Sequence, residues 1–327
     1  MKDYTNHILV PETEVVILLS TYNGAAHLKE QLESILAQTY TKWKLWVRDD
    51  GSTDGSVTLV KEYLSRFPEK INLLRSNGNL GASQSFGLLL NTIEAQYIMF
   101  CDQDDIWLPK KIEQTLAIMH EAEKETPNCP ILVHTDLQIV NQTMGIISES
   151  MWAYQKLNPN AVLLNEFLIQ NHATGCTMML NANLKNLAIP INPKAIMHDW
   201  WIALVAAAFG EIRVVNEPTI KYRQHGNNEV GAKAYKLNYF ASRLFKLQDS
   251  IASNKRIITQ AHAFLNQFEE RLGDEERRTL KKLSELLTSN KMIRVWTIVR
   301  YRLYKYGWMR NIAYIGVMML TPRIKDK

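Results

Sequence analysis

The chain reads as an α/β fold: a mostly parallel central sheet flanked by helices, with a helical appendage at the C-terminal end. Three observations predict it. Short apolar runs alternate with helical-period segments through the first 110 or so residues, the rhythm of strand, crossover helix and parallel strand. The runs at 15–19 and 97–101 are apolar throughout, apart from the Tyr97 hydroxyl, as expected of strands buried on both faces. From about Lys236 onward only a helical apolar period remains, at Leu244, Leu247, Ile251, Ile257, Ile258, Ala261 and Leu265, then at Leu280, Leu283, Leu286 and Leu287.

Residues 14–19 form the first strand and end in Ser20-Thr21-Tyr22-Asn23-Gly24, which is turn chemistry. Residues 27–38 carry Leu28, Leu32, Ile35 and Leu36 at helical spacing. The second strand, 44–48, runs into the polar loop Asp49-Asp50-Gly51-Ser52-Thr53-Asp54-Gly55-Ser56. A helix over 57–67 follows, with Asp54 or Ser56 as its N-cap. A third strand at 71–75 leads to Asn77-Gly78-Asn79-Leu80-Gly81-Ala82-Ser83 and a helix reaching about Ile93. The strand at 97–101 then delivers Asp102-Gln103-Asp104-Asp105, with Ile106-Trp107-Leu108-Pro109 and another helix behind it. Further on, 131–136 and 212–220 read as strands, and 148–164 as an irregular excursion that shapes an acceptor groove. Gly273-Asp274 breaks the C-terminal helical pattern.

At 327 residues the chain holds one large domain with an appendage, or two domains. The division predicted is 1–232 and 233–327. With 46% hydrophobic and 22% charged residues it is an ordinary globular chain, and at +5 it is mildly basic. Cys101, Cys129 and Cys176 are far apart and odd in number, which argues against a zinc site or a disulfide framework and fits a reducing cytosol. The polar N-terminus and the short run at 15–19 predict no secretory signal, and no window has the eighteen or so apolar residues of a membrane span. Neither a Gly-rich dinucleotide fingerprint nor a Walker A pattern follows the first strand.

Ligands of open α/β sheets bind beyond the carboxyl ends of the strands, and three such ends here carry chemistry. Tyr22 offers a flat ring for a nucleobase, and Asp49 and Asp50 offer acceptors for a base N–H. Three carboxylates within four positions at 102–105 repel one another unless a cation or proton neutralises them. Mg²⁺ or Mn²⁺, sharing its shell with a diphosphate, suits them. Plain alternatives stand beside each: a packed loop aromatic for Tyr22, turn formation or capping for Asp50, and a solvated acidic loop for 102–105.

On these motifs the chain closely resembles family 2 glycosyltransferases of the A-type fold. The residues that carry the resemblance are 19–24, Gln31-Leu32-Glu33-Ser34-Ile35-Leu36-Ala37-Gln38-Thr39, 48–56, Asn79-Leu80-Gly81 and Asp102-Gln103-Asp104-Asp105-Ile106-Trp107. Within that family it is most similar to bacterial cell-wall and surface-polysaccharide rhamnosyltransferases, which share the Asp-Gln-Asp-Asp-Ile-Trp form. The resemblance implies that Tyr22 and Asp50 hold the base of a nucleotide sugar, with Ser20, Asn23, Gly81 and Asp102 in the same donor site. It implies a metal site of Asp102 and Asp104, with Asp104 the more direct ligand. The catalytic base of the family is an acid just before an aromatic-rich helix, here Asp199 in Met197-His198-Asp199-Trp200-Trp201. The plain alternative for Asp199 is an acid favouring the helix dipole, and for His198 it is packing or a supporting role. The segment 171–180, with Gly175, is similar to the family's acceptor-facing loop, and Trp200 belongs to the same side. Tyr222-Arg223-Gln224-His225-Gly226 has the form of single-addition members and lacks the Gln/Arg/Trp motif of processive ones. Arg223 and His225 are expected at diphosphate or metal, with a loop histidine bonding backbone as the alternative for His225.

The implied reaction is an inverting, metal-dependent transfer of rhamnose from dTDP-rhamnose to a hydroxyl of a lipid-linked saccharide. A UDP-hexose donor is the alternative within the fold, and a non-catalytic nucleotide-sugar or glycan-binding module the alternative outside it. The stretch 291–320 interleaves Trp, Tyr, Lys and Arg, which fits an interfacial helix on an anionic membrane. The enzyme is therefore expected in the cytoplasm, peripheral on the inner face of the plasma membrane. A hairpin packed on the catalytic domain or a homo-oligomer interface would also suit that stretch. No nucleic-acid-binding signature accompanies it, so nucleic acid is not an expected partner.

Overall fold

A computed structural model describes residues 8–9, 15–74, 78–225 and 247–323. The elements in chain order are β1 (Ile8–Leu9), β2 (Val15–Thr21), α1 (Ala25–Leu36), β3 (Trp43–Asp49), α2 (Ser56–Arg66), β4 (Ile71–Leu74), α3 (Ala82–Thr92), β5 (Ile93–Glu94), β6 (Tyr97–Cys101), β7 (Ile106–Trp107) and α4 (Lys111–Glu125). Then come β8 (Ile131–Val140), β9 (Ile146–Ser148), α5 (Met151–Gln155), α6 (Leu164–Ile169), β10 (Met179–Asn181), α7 (Ala182–Ala188), α8 (His198–Phe209) and β11 (Glu211–Arg223). Four described helices follow: α9 (Leu247–Phe268), α10 (Asp274–Ser284), α11 (Lys291–Arg300) and α12 (Trp308–Leu320).

Among the described residues the main sheet has nine strands, in the order β4-β3-β2-β6-β10-β8-β11-β7, with β9 paired to β8. β2 pairs in parallel with both β3 and β6. β10 is antiparallel to both β6 and β8, and β8 is parallel to β11. Six strands therefore share one direction and deliver their carboxyl ends to one rim. β2 explains its unbroken apolar run: Val16 and Leu18 enter one core cluster, while Val15, Ile17 and Leu19 enter the other. A pleated strand alternates faces, so burial on both sides demands an apolar residue at every position.

One core lies between the sheet and α1, α2 and α4. The other takes α3, α6, α7 and α8, together with residues of all four C-terminal helices. Trp201 of α8 joins them, its ring 5.3 Å from Phe264 and 6.0 Å from Phe268. The Ile196 amide also donates to Gln260 Oε1 at 2.7 Å, so α9 braces the segment that leads into α8. The helices beyond 233 thus share a continuous apolar core with the sheet. The expected boundary at 232/233 lies outside the described residues.

Two local expectations need correction. The N-cap of α2 is Gly55, not Asp54 or Ser56. Asp54 instead accepts the Ser56 amide at 2.9 Å and the Ala25 amide at 3.1 Å, which ties the starts of α1 and α2 together. The last strand is longer than 212–220, reaching Arg223 with register shifts around Pro218. Proline cannot donate to the ladder, so the apolar pattern weakens there although the strand continues.

Candidate active site

Three loops at the carboxyl ends of β2, β3 and β6 are stitched into one surface. Gln103 of the acidic motif is the main stitch. Its Oε1 accepts from Thr21 Oγ1 at 2.7 Å and the Tyr22 amide at 2.8 Å, while its Nε2 donates to the Tyr22 carbonyl at 3.1 Å. A Cβ on Gly24 would lie 2.1 Å from Gln103 Oε1, so the glycine leaves the room that this side chain fills. The backbone of Tyr22 is therefore fixed while its ring stays 50% exposed. Gln103→Leu removes all three bonds at nearly constant size. It is expected to raise the KM for the nucleotide donor about tenfold, as partly solvated hydrogen bonds contribute ~0.5–1.5 kcal/mol each. Steady-state kinetics in donor concentration would check this, and an unchanged KM would remove Tyr22 positioning from the account.

Asn23 adopts φ of 48°, a left-handed conformation that asparagine tolerates. Its Oδ1 accepts the Thr53 amide at 2.8 Å and its own amide donates to Ser52 Oγ at 2.9 Å. Asn23 thus laces the first loop to the second. Asp50 lies below, 2% exposed, in an ion pair with Arg48. It also accepts the Leu80 and Gly81 amides, both at 2.8 Å. Gly81 needs its φ of +76° to present that amide. Arg48 also donates to Ser85 Oγ at 2.7 Å, which contacts Ser20 Oγ at 2.5 Å. An ionised carboxylate has about four acceptor positions, and Asp50 has three filled. Its neighbour Asp49 accepts the Gly51 and Ser52 amides at 3.0 Å on Oδ2, but its buried Oδ1 has no hydrogen-bond partner.

The acidic loop is held from beneath by Arg223, which is 3% exposed. Its amide donates to Asp105 Oδ1 at 3.2 Å, its Nε to the Asp104 carbonyl at 3.1 Å and its Nη1 to the Gln142 carbonyl at 2.9 Å, while Nη2 pairs with Glu30. A guanidinium so committed clasps the loop rather than lying open at the rim, where the diphosphate contact was expected. Asp104 Oδ2 lies 2.7 Å from His225 Nε2, and the His225 ring sits 5.2 Å from that of His27. Burial, then Arg223 and His225, lower the pKa of His27. Asp102 groups with Asp105 and Cys176, their donor atoms all within 4.8 Å of one another. Asp105 is wholly buried, its Oδ2 makes no hydrogen bond, and burial followed by Asp104 and Asp102 pushes its pKa well up. Buried Lys111 feels the charge of the same cluster, and burial brings its pKa down to about 8. The carboxylates of Asp102 and Asp105 suit a hard or borderline divalent cation, while Asp104 pairs with His225 in a second grouping.

Asp199 sits in the first turn of α8. Its Oδ2 accepts the Gly175 amide at 3.0 Å and Asn171 Nδ2 at 3.2 Å, and its Oδ1 accepts the Trp200 amide at 2.6 Å. Burial nevertheless pushes its pKa up to about 6. Gly175 approaches so closely that a Cβ would lie 3.2 Å from the Asp199 Cβ. The next residue is Cys176 of the acidic group, so one 3₁₀ turn, Gly175–Thr177, joins the acidic loop to Asp199. Trp200 Nε1 donates to the Phe167 carbonyl at 2.6 Å, fixing α8 to the end of α6. His198 is packed between Phe86 at 4.3 Å and Phe100 at 4.8 Å, and burial brings its pKa down to about 3. It is a neutral packing group.

Sequence reasoning missed Glu30, His27 and Ser85, and quoted Arg48 and Asn171 only within motifs, without a role for either. Arg48 directly precedes Asp49-Asp50 and was legible as a neighbour. The others come to the site only through folding, Glu30 from 193 positions away from Arg223.

The described chain has the architecture of the A-type glycosyltransferases. Residues 1–349 of S. aureus TarS, solved in complex with UDP-GlcNAc, match it with a TM-score of 0.54 over 94% of this chain and 90% of that one, at 14% identity. The chain belongs to glycosyl transferase family 2, whose family profile matches residues 16–180, just over half of its length. The dTDP-rhamnosyl transferase RfbG of Shigella flexneri is 29% identical over 231 residues, covering 68% of this chain and 76% of that protein. An uncharacterized glycosyltransferase of Nostoc sp. is 24% identical over 278 residues, covering 82% and 80%.

Proposed function

We propose that this glycosyltransferase moves a sugar, with inversion, from a nucleotide donor to an acceptor hydroxyl, and that the donor is dTDP-rhamnose. The observation that carries the reading is Asp199: a carboxylate with a raised pKa, held by three donors and joined through one turn to the acidic loop. The kinship with a dTDP-rhamnosyl transferase supports the choice of sugar. A UDP-hexose is the second donor in line, and a non-catalytic sugar-nucleotide module is the outcome if no turnover occurs.

Tyr22 stacks on the base, while the Asp49 Oδ1 and the last acceptor position of Asp50 take its N–H. Ser20, Asn23 and Gly81 shape that pocket, Gly81 by backbone and the two others through the loops they tie. Asp102, Asp104 and His225 would hold Mg²⁺ or Mn²⁺, and a cation bound there would supply positive charge against the departing diphosphate. Gly175 and Trp200 border the acceptor. Asp199 takes the proton from the acceptor hydroxyl as its oxygen bonds to the anomeric carbon and the bond from that carbon to the diphosphate oxygen breaks. Attack from the face opposite the diphosphate inverts the centre. Arg223 acts as a positioning residue for the acidic loop.

Residues 1–232 form the catalytic unit in this reading and 233–327 its helical appendage. The acceptor is a lipid-linked saccharide of a bacterial surface polysaccharide, reached from the cytoplasmic face of the membrane. A panel of dTDP-, UDP- and GDP-sugars, assayed for Mg²⁺- or Mn²⁺-dependent release of nucleoside diphosphate, tests the proposal. Release from dTDP-rhamnose above all others is expected. Preference for a UDP-hexose would overturn the donor assignment, and release from none would overturn catalysis.

A further inference from the structure

Ten of the sixteen large apolar side chains exposed among the described residues fall between 292 and 320. They are not scattered. On α11 the outward side is Met292, Ile293, Trp296 and Val299, while Arg294, Thr297 and Ile298 face the core. On α12, Trp308 and Ile312 continue the pattern, opposite buried Tyr314 and Met318. α12 turns an apolar side inward and α11 turns Arg294, Thr297 and Ile298 inward, while each carries an apolar stripe, at helical spacing, turned outward. An exposed stripe of that kind marks an interaction surface.

Charge identifies the occupant. The segment 291–323 carries six Lys and Arg besides the buried Arg294, and no Asp or Glu. It also exposes Trp296, Tyr304, Tyr306 and Trp308, rings that settle where hydrocarbon meets headgroups. Lys291, Arg300 and Arg302 flank the stripes in exposed positions. Apolar stripes flanked by these three cations complement an anionic lipid surface, with headgroups for the cations and acyl chains for the stripes. No described helix is long and apolar enough to cross a bilayer, which leaves binding in the interfacial plane.

The surface is wired to the site. The turn between α11 and α12 is docked on 155–170: Arg310 donates to the Lys156 carbonyl at 2.7 Å, Asn165 to the Arg302 carbonyl at 3.1 Å, and the Tyr306 amide to Gln170 Oε1 at 3.0 Å. The residue after Gln170 is Asn171, which donates to Asp199.

We propose that the outward faces of α11 and α12 form an in-plane docking surface for an anionic phospholipid bilayer. Their docking on 155–170 holds that surface beside the Asp199 side of the site. This deepens the reading above and rests on it only for the lipid-linked acceptor. The test is co-sedimentation of the full chain with phosphatidylcholine vesicles, with and without phosphatidylglycerol, for the native protein and for Trp296→Glu/Trp308→Glu. Those side chains are 56% and 72% exposed, so the fold should survive, as circular dichroism would verify. Binding only to the anionic vesicles is expected, falling at least about tenfold in the double variant, while donor turnover with a water-soluble acceptor stays unchanged. Failure to bind anionic vesicles, equal binding to neutral ones, or a native dimer that the variant splits would each overturn the proposal. Because vesicle binding needs no donor, docking without glycosyl transfer would sink the catalytic reading and leave this one standing.

Discussion

Asp199→Asn is expected to lower glycosyl transfer by roughly 10²–10⁴-fold, the usual contribution of a positioned general base, while leaving donor affinity within about twofold. The side chain is held by Gly175, Asn171 and Trp200, so its geometry is prepared before an acceptor arrives. Its pKa of about 6 fixes the sign of the pH dependence. The base works only when ionised, so kcat/KM should rise through about pH 6 with unit slope and then level. The folded state binds this proton more tightly than the unfolded chain, whose value is near 3.8. Its contribution to stability is therefore full below about pH 4 and lost as pH rises through 6. Gly175→Ala supplies a second arm, since the new Cβ would press on Asp199 at 3.2 Å. A loss of about tenfold in turnover, without loss of donor binding, is expected from so small a displacement. Turnover of Asp199→Asn within a few-fold of native, or a flat pH profile between 5 and 7, would remove Asp199 as the base.

What the sequence made legible was whatever local physics determines. β2 and β6 are buried on both faces, so their apolar runs were unbroken, and the turn residues that end them announced the rim. Asp102-Gln103-Asp104-Asp105 stood out because carboxylates that close need a physical reason. The pairing of β10 between β6 and β8, against their direction, was not legible. Three residues, Met179–Asn181, carry no directional signal, and their place is set by the strands on either side. The resemblance of 222–226 to single-addition members implies diphosphate or metal as the contact for Arg223. Its partners are a carbonyl of that motif and Glu30, far away in the chain, and only the fold reveals that it faces inward. The C-terminal helices were predicted from their period, which says that a helix has an apolar side but not what covers it. Trp201 against Phe264 and Phe268 answers that for α9, and the outward stripes of α11 and α12 remain as surface.

Asp104→Ala is expected to remove cation-dependent transfer, with a loss of about 10³-fold, in line with the several kcal/mol that a bound cation contributes to a charged transition state. The loop should keep its path in this variant. Arg223 holds it through the Asp104 carbonyl and the Asp105 carboxylate, and Gln103 ties it to Tyr22. None of these bonds uses the Asp104 side chain. What disappears is one carboxylate and its 2.7 Å contact with His225. The measurement is release of nucleoside diphosphate after EDTA treatment and stepwise return of Mn²⁺. Native activity should vanish with EDTA and return with Mn²⁺, whereas that of Asp104→Ala should not return at any concentration that restores the native chain. Native turnover indifferent to EDTA, or an Asp104→Ala variant as active as native, would take the cation out of the reaction. The acidic loop would then need another source of neutralisation. Asp105, with burial already driving its pKa up, would supply it by holding a proton.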